Sequence, residues 1–397
     1  MKQIRMVNEL NAGRSFEQRA MQARRPWRWV GTRHAPLALV ATGLLGLGAV
    51  GCDESPEVPA PVPGGGVTVP SQANLPGNFL ISDQYNNRVI EVTKQREIAW
   101  QFGDGAFQAG ATAVVAPNDA QRVGELTLIS GTGAPAAAEP GCPDGCQDNR
   151  VLMVDLEGKI QFQYGQVGVA GAGANQLNAP VAATFEPNGY VLITDQGNQR
   201  VIEVSMVSHA ILWQYGTTGV SGAGADQLNN PNSAELLDTG NILIADEGNN
   251  RVIEVGKDKM IKWSYGSPAD TATLNAPAFA SRLPSGNTLI SDSANNRIVE
   301  VAPQKTPVFT YATTQRRGSV ADPTPTRAVE LTNGNILISD QNNDQVVLID
   351  HSGHELFTIG QIGRPGYGPD ELDGPYDAKV IGDYTGLTAP GMLTEPL

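Results

Sequence analysis

Carboxylate, amide and guanidinium groups recur along this 397-residue chain at one spacing. The phrases LISDQYNNRVIEV (80–92), VLITDQGNQRVIEV (191–204), ILIADEGNNRVIEV (242–255), TLISDSANNRIVEV (288–301) and ILISDQNNDQVVLID (336–350) place Asp83, Asp195, Asp246, Asp292 and Asp340 three residues before an Asn. In the first four an Arg follows two residues later, at Arg88, Arg200, Arg251 and Arg297, and Arg150 ends a degenerate further copy. A ring of such carboxylates would attract cations. The same groups can instead be structural, each Asp and Asn satisfying turn amides and each Arg pairing with a neighbouring blade, which is the favoured reading because a site seldom needs one group from every repeat. Residues that break the repeat are better candidates for a ligand: Asn232, Glu235, Arg327, Tyr376 and Asp377, with Lys379 beside them. Incidental polar lining of a hydrated channel is the plain alternative. Asn232, Glu235 and Asp377 are also the residue types a calcium site uses, which is what a metal-dependent hydrolase or lactonase would need.

The elements that must position these groups follow from a second phrase downstream of each copy. IAWQFG (98–103), IQFQYG (160–165), ILWQYG (211–216), IKWSYG (261–266), PVFTYA (307–312) and ELFTIG (355–360) end at positions 62, 51, 50, 46 and 48 residues apart. Each copy reads strand, polar turn, strand, turn, aromatic strand. A further strand is signalled by Pro with Ala three residues on, as in NPNSAELLDTG, and Ala113, Ala183, Ala234, Ala280, Ala328 and Ala378 are assigned to it. Four strands per period of about fifty residues predict an all-β, six-bladed β-propeller of four-stranded antiparallel blades. Ala378 sits in GPYDAKVIGD with no blade after it, while the first blade at Asn78 starts on its second strand. N- and C-terminal strands are therefore expected to share one blade, which removes a free sheet edge. The predicted domain runs over 78–382, with 383–397 a disordered tail.

These residues resemble the NHL-repeat family of β-propellers, most clearly in YGQVGVAGAGANQLNAPVAATFEPNGYVLITDQGNQRVIEV. The resemblance covers all six blades and implies a six-bladed propeller acting as a binding module. Blade two departs from it: the turn Asp gives way to GTGAPAAAEPGCPDGCQDNR, which retains Asn149 and Arg150.

Ahead of the repeats, an Arg-rich stretch, the apolar PLALVATGLLGLGAVG and Cys52 resemble a bacterial lipoprotein signal, predicting a signal peptide over 1–51 and lipidation at Cys52. The apolar run is too short for a comfortable membrane span. Met21 as a start and an Arg24–Arg25 twin-arginine route stay open. Residues 52–77, rich in Pro and Gly, read as a lipid-anchored tether. Cys142 and Cys146 are then expected to form a disulfide in an oxidising compartment, with no His between 131 and 149 to favour a metal.

The chain has 27 Lys and Arg against 41 Asp and Glu; with 8 and 2 of these in 1–51, the remainder holds 19 against 39, a balance of −20. That acidity argues against nucleic acid and fits solubility. His209, His351 and His354 fall near turns on the face opposite the Asp turns, so no histidine cluster is expected at the centre and no catalytic constellation is apparent. The sequence points to a bacterial cell-envelope lipoprotein, monomeric and touching the membrane only through its lipid. Its propeller is expected to bind a protein, peptide or glycan without a cofactor; a calcium-dependent hydrolase or lactonase is the alternative.

Overall fold

The computed structural model describes residues 72–393 except 137 and 140. The expected signal peptide, Cys52 and nearly all of the expected tether lie outside the described residues.

Strand formation follows from the apolar runs. Ile242–Asp246 and Arg251–Val255 pair antiparallel, Asp246 opposite Arg251, and every residue of both is buried. Such runs suit a sheet covered on both faces, and each blade here is packed between two others. Six four-stranded antiparallel sheets form the ring, each ordered from an inner strand to an outer one. Blade 4, for example, runs Pro231–Leu236, Ile242–Asp246, Arg251–Val255, Ile261–Gly266. Between successive blades lie six clusters of buried apolar side chains. Ala234 belongs to the cluster between blades 3 and 4 and Ala280 to the next, at the narrow inner end of each wedge. A small residue is required there because neighbouring sheets converge toward the axis.

The ring closes as the spacing predicts. Pro375–Val380 pairs antiparallel with Phe79–Asp83, Ala378 opposite Ile81, so the two chain ends build blade 1 together. One assignment is corrected. Ala113 is not in an inner strand; blade 2 begins with Pro117–Val123, and Ala120, opposite Ile129, holds the repeat position. The Pro-x-x-Ala spacing is present at Pro117 and Ala120, whereas residue 110 is Gly. The Cys142–Cys146 disulfide is present, within the insertion of blade 2.

The expected disordered tail is also corrected between 383 and 393. Tyr384 donates its hydroxyl to the Arg122 carbonyl at 3.3 Å, Thr388 is buried, and Leu393 packs on the core between blades 2 and 3. Ending the chain after Asp373 should therefore bare the edge of Phe79–Asp83 and abolish cooperative unfolding, while ending it after Leu393 should leave the thermal midpoint unchanged. Equal midpoints for the two truncations, measured by circular dichroism, would refute this closure.

Candidate functional site

The Asp turns lie on one rim of the ring, and their groups are committed to holding blades together. Asp246 Oδ2 accepts from Arg251 Nε at 2.7 Å and Asn249 Nδ2 at 2.8 Å, while Oδ1 accepts the Asn229 amide at 2.8 Å. Asp83, Asp195 and Asp292 repeat this pattern with Arg88, Arg200 and Arg297 and with the amides of Asp373, Asn178 and Asn275. All four aspartates are buried. Arg88 continues to the carbonyls of Tyr367 and Glu371, and Arg251 to those of Ala223 and Gln227, in the loop leading into the blade. The expected pairing of each Arg with a neighbouring blade is corrected: the arginines pair with their own blade's carboxylate and reach that loop with their remaining donors.

A further position, noted in the sequence only as Asn149 of blade 2, links each blade to the next. The residue before the Arg adopts a left-handed conformation, as Asn87 does at φ 51°, and its side-chain oxygen accepts the amide just ahead of the next blade's Pro. Asn87 binds Ala116, Asn149 binds Ala179, Gln199 binds Asn230, Asn250 binds Ala276, Asn296 binds Thr324 and Asp344 binds Gly374, all between 2.7 and 3.1 Å. Asn is suited to this position because its side chain tolerates the left-handed region. The closing glycines serve the same junction: a Cβ on Gly103 would stand 2.3 Å from the Asn87 carbonyl oxygen.

Two blades keep this chemistry with relocated groups. In blade 2 the carboxylate comes from Asp148, which bonds Arg150 Nε at 2.5 Å and the Val115 amide at 2.8 Å. Its side chain fills the space a Cβ would need on Gly131, the residue standing where other blades have Asp, at 2.7 Å. The insertion therefore loses the Asp from its usual place without losing the ion pair. In blade 6 the Arg position is Gln345, and Arg316 from the preceding loop reaches Asp340 at 2.6 Å and Glu355 at 3.0 Å. Pro323 stands where the other blades supply an amide to the turn carboxylate, so Asp340 Oδ1 is a buried acceptor without a donor. Burial, opposed by Arg316, pushes the Asp340 carboxyl up to about 6.

The residues that break the repeat do meet at the axis, but none is open. Arg327 bridges Asp377 at 2.5 Å and Asp119 at 2.9 Å; Lys379 bridges Asp119 at 2.5 Å and Asp377 at 2.6 Å. Two carboxylates and two cations balance in this buried cluster, and Arg327 also lies over the Phe279 ring at 4.1 Å. Burial raises the Asp119 carboxyl, but Lys379 and Arg327 outweigh it and leave it lowered to about 2. Asn232 and Tyr376 bond each other at 2.8 and 3.0 Å, and Asn232 also bonds Glu247 at 2.7 Å. Glu235 accepts the Thr388 amide at 3.0 Å and its hydroxyl at 2.8 Å. Asn232, Glu235 and Asp377 are thus held by three separate sets of partners, rather than converging as a calcium shell.

Peptide groups on the inner strands use the same side chains. The Ala183 amide donates to Asp119 at 2.9 Å, Ala120 to Asp377 at 3.1 Å, Phe185 to Gln121 at 2.8 Å and Leu236 to Thr388 at 3.2 Å. Toward the rim, Gln341, Gln84 and Asn118 form a buried amide chain at 2.6 and 2.8 Å. At the other end a water-sized cavity lies between the tail and Glu235, Lys379 and Thr388. Asp119, Gln121 and Thr388 were not among the candidates; Asp119 and Gln121 were hidden by the Ala113 assignment, and Thr388 lies beyond the last repeat phrase.

Comparison with known proteins places the fold and stops there. No protein-family model matches the chain, and no curated protein matches it in sequence. Among solved structures, it is similar to a protein of unknown function from Bacteroides caccae, at 17% identity and a TM-score of 0.51, covering 72% of this chain and 93% of that one. A streptogramin B lyase structure is similar at 14% identity and a TM-score of 0.49 over 81% of this chain and 90% of that one. The fold is a six-bladed β-propeller.

The missing donor in blade 6 sets a pH test. A carboxyl raised in the folded protein contributes stability at pH below its unfolded value near 4, and that contribution is lost as pH rises through about 6. Pro323→Asn restores the residue type present at Asn178, Asn229 and Asn275, supplying the amide and lowering the Asp340 pKa. Urea unfolding should then show the variant losing less stability than the parent between pH 4 and pH 7; parallel curves would contradict the assignment.

Proposed function

We propose that the chain is a cell-envelope lipoprotein whose NHL-type propeller serves as a binding or scaffolding module for a protein, peptide or glycan partner. The observation that carries this reading is the filled axis. With Asn232, Glu235, Arg327, Tyr376 and Asp377 all buried and bonded within the ring, a partner has to be recognised on the outer surface.

The rim is the favoured surface. Its aspartates are internally paired, but the loops joining one blade's outer strand to the next blade's inner strand expose Phe107, Val167, Val169, Val220, Val320 and Tyr367. Apolar groups among glycines and polar residues suit recognition of another macromolecule. The direction of the chain supports the same face. Residues 72–78 enter at the opposite end of the ring, where the Gly77 amide bonds the Ile381 carbonyl at 2.9 Å, so a tether from Cys52 would leave the rim loops facing away from the anchor. The acidic balance continues to disfavour nucleic acid.

A photoreactive amino acid placed at Val169 or Val220 should form a specific adduct in intact cells, whereas one at Val207, on the opposite face, should not. Adducts confined to Val207 or to Leu212 on an outer strand, with none from the rim, would refute the rim assignment.

A further inference from the structure

On the face opposite the rim, a second charge pair recurs, built from the third strands of blades 1, 3 and 4. Glu91 of blade 1 pairs with Arg122 of blade 2 at 2.5 Å, Glu254 of blade 4 with Arg282 of blade 5 at 3.0 Å, and Glu203 of blade 3 with Lys257 of blade 4. Each cation also covers the outer-strand aromatic of the first blade, Trp100, Trp263 and Trp213 respectively. The fold thus sets one positive group against this Glu at these junctions.

The junction between blades 5 and 6 breaks the rule. Glu300 holds the carboxylate position, but the residue in register with Arg122 and Arg282 is Glu330. His351, from the turn between the third and fourth strands of blade 6, lies against Phe309 as Lys257 lies against Trp213, its ring 5.2 Å from the phenyl centroid. His351 Nε2 is 3.5 Å from Glu300 Oε2 and 3.6 Å from Glu330 Oε2. Among the described residues this is the group of His, Cys, Asp or Glu that brings three ligand atoms together, all within 4.8 Å of one another.

We propose that Glu300, Glu330 and His351 bind a divalent transition-metal ion of the zinc class. Three observations converge. The imidazole nitrogen is too far from either carboxylate for a good hydrogen bond. Its distances match the edge of a tetrahedral zinc site, about 3.3–3.6 Å for zinc–ligand bonds near 2.0–2.2 Å. Two carboxylates meeting where the junctions of blades 1–2 and 4–5 place one carboxylate and one arginine leave a negative charge that a divalent ion balances. Asn287 Nδ2 holds Glu300 Oε1 at 2.5 Å, which turns Oε2 toward the imidazole and is the kind of outer support metal ligands receive. Mixed nitrogen and oxygen donors favour zinc over calcium, and the half-exposed His351 leaves the remaining coordination position open to water.

This site is independent of the partner-binding reading, and the repeat supplies its own control. Zinc chloride titrated into the full-length protein by calorimetry should bind with one equivalent. His351→Ala and Glu330→Gln should each weaken that binding at least tenfold, and His354→Ala, an exposed neighbour, should not. Glu330→Arg rebuilds the pairing of the sister blades; it should fold, with a thermal midpoint no lower than the parent's, and lose zinc. Zinc uptake unchanged in His351→Ala or Glu330→Arg, or no saturable binding by the parent, would overturn the proposal.

Discussion

Six inner strands each turn one edge of peptide groups toward a single axis, and that edge must find partners without a neighbouring strand. The ring can close only if something other than a sheet satisfies it. Here side chains do so: Asp119 takes the Ala183 amide, Asp377 takes Ala120 and Gln121 takes Phe185. Carboxylates buried at the axis need cations, and Arg327 and Lys379 supply them. Removing one member of such a set would strand a buried charge, at a cost of about 3–5 kcal/mol. The residues that interrupt the repeat are therefore the groups that complete the centre. Their irregularity reflects a cluster that needs two charges of each sign rather than six.

The rim obeys a parallel constraint at the outer end of the inner strands. A turn carboxylate must collect a guanidinium and a loop amide in every blade, yet it need not come from one sequence position. Asp148 reaches the spot from across a hairpin in blade 2, where Gly131 makes room for it, and Arg316 reaches Asp340 from a loop in blade 6. What is repeated is the arrangement of charges in space. Only where Pro323 removes the amide is the arrangement left short of a donor.

This explains which features could be read from residue order. Blade number, strand order and closure depend on local spacing, so the aromatic phrases and the Pro-x-x-Ala mark at Ala378 were enough to place them. The disulfide was legible because its cysteines stand four positions apart. The axial cluster was not, since Arg327 and Lys379 lie 208 and 260 residues from Asp119 and meet it only once the ring has closed. Ala113 illustrates the limit of a single-residue mark: without its Pro three positions earlier, it pointed one loop too early and concealed Asp119 and Gln121. Thr388 carried no repeat signal at all, although its amide, hydroxyl and carbonyl all bond at the axis.

With its centre sealed, the ring is a rigid platform and its recognition chemistry belongs to loops and surface. The direct measurement of that claim is residue-resolved hydrogen exchange at the inner-strand amides of Ala120, Ala183, Phe185 and Leu236. The account predicts that all four exchange only through global unfolding, with protection equal to that of the buried central strands. Fast exchange at these amides in the native state, as at a water-filled channel, would contradict it.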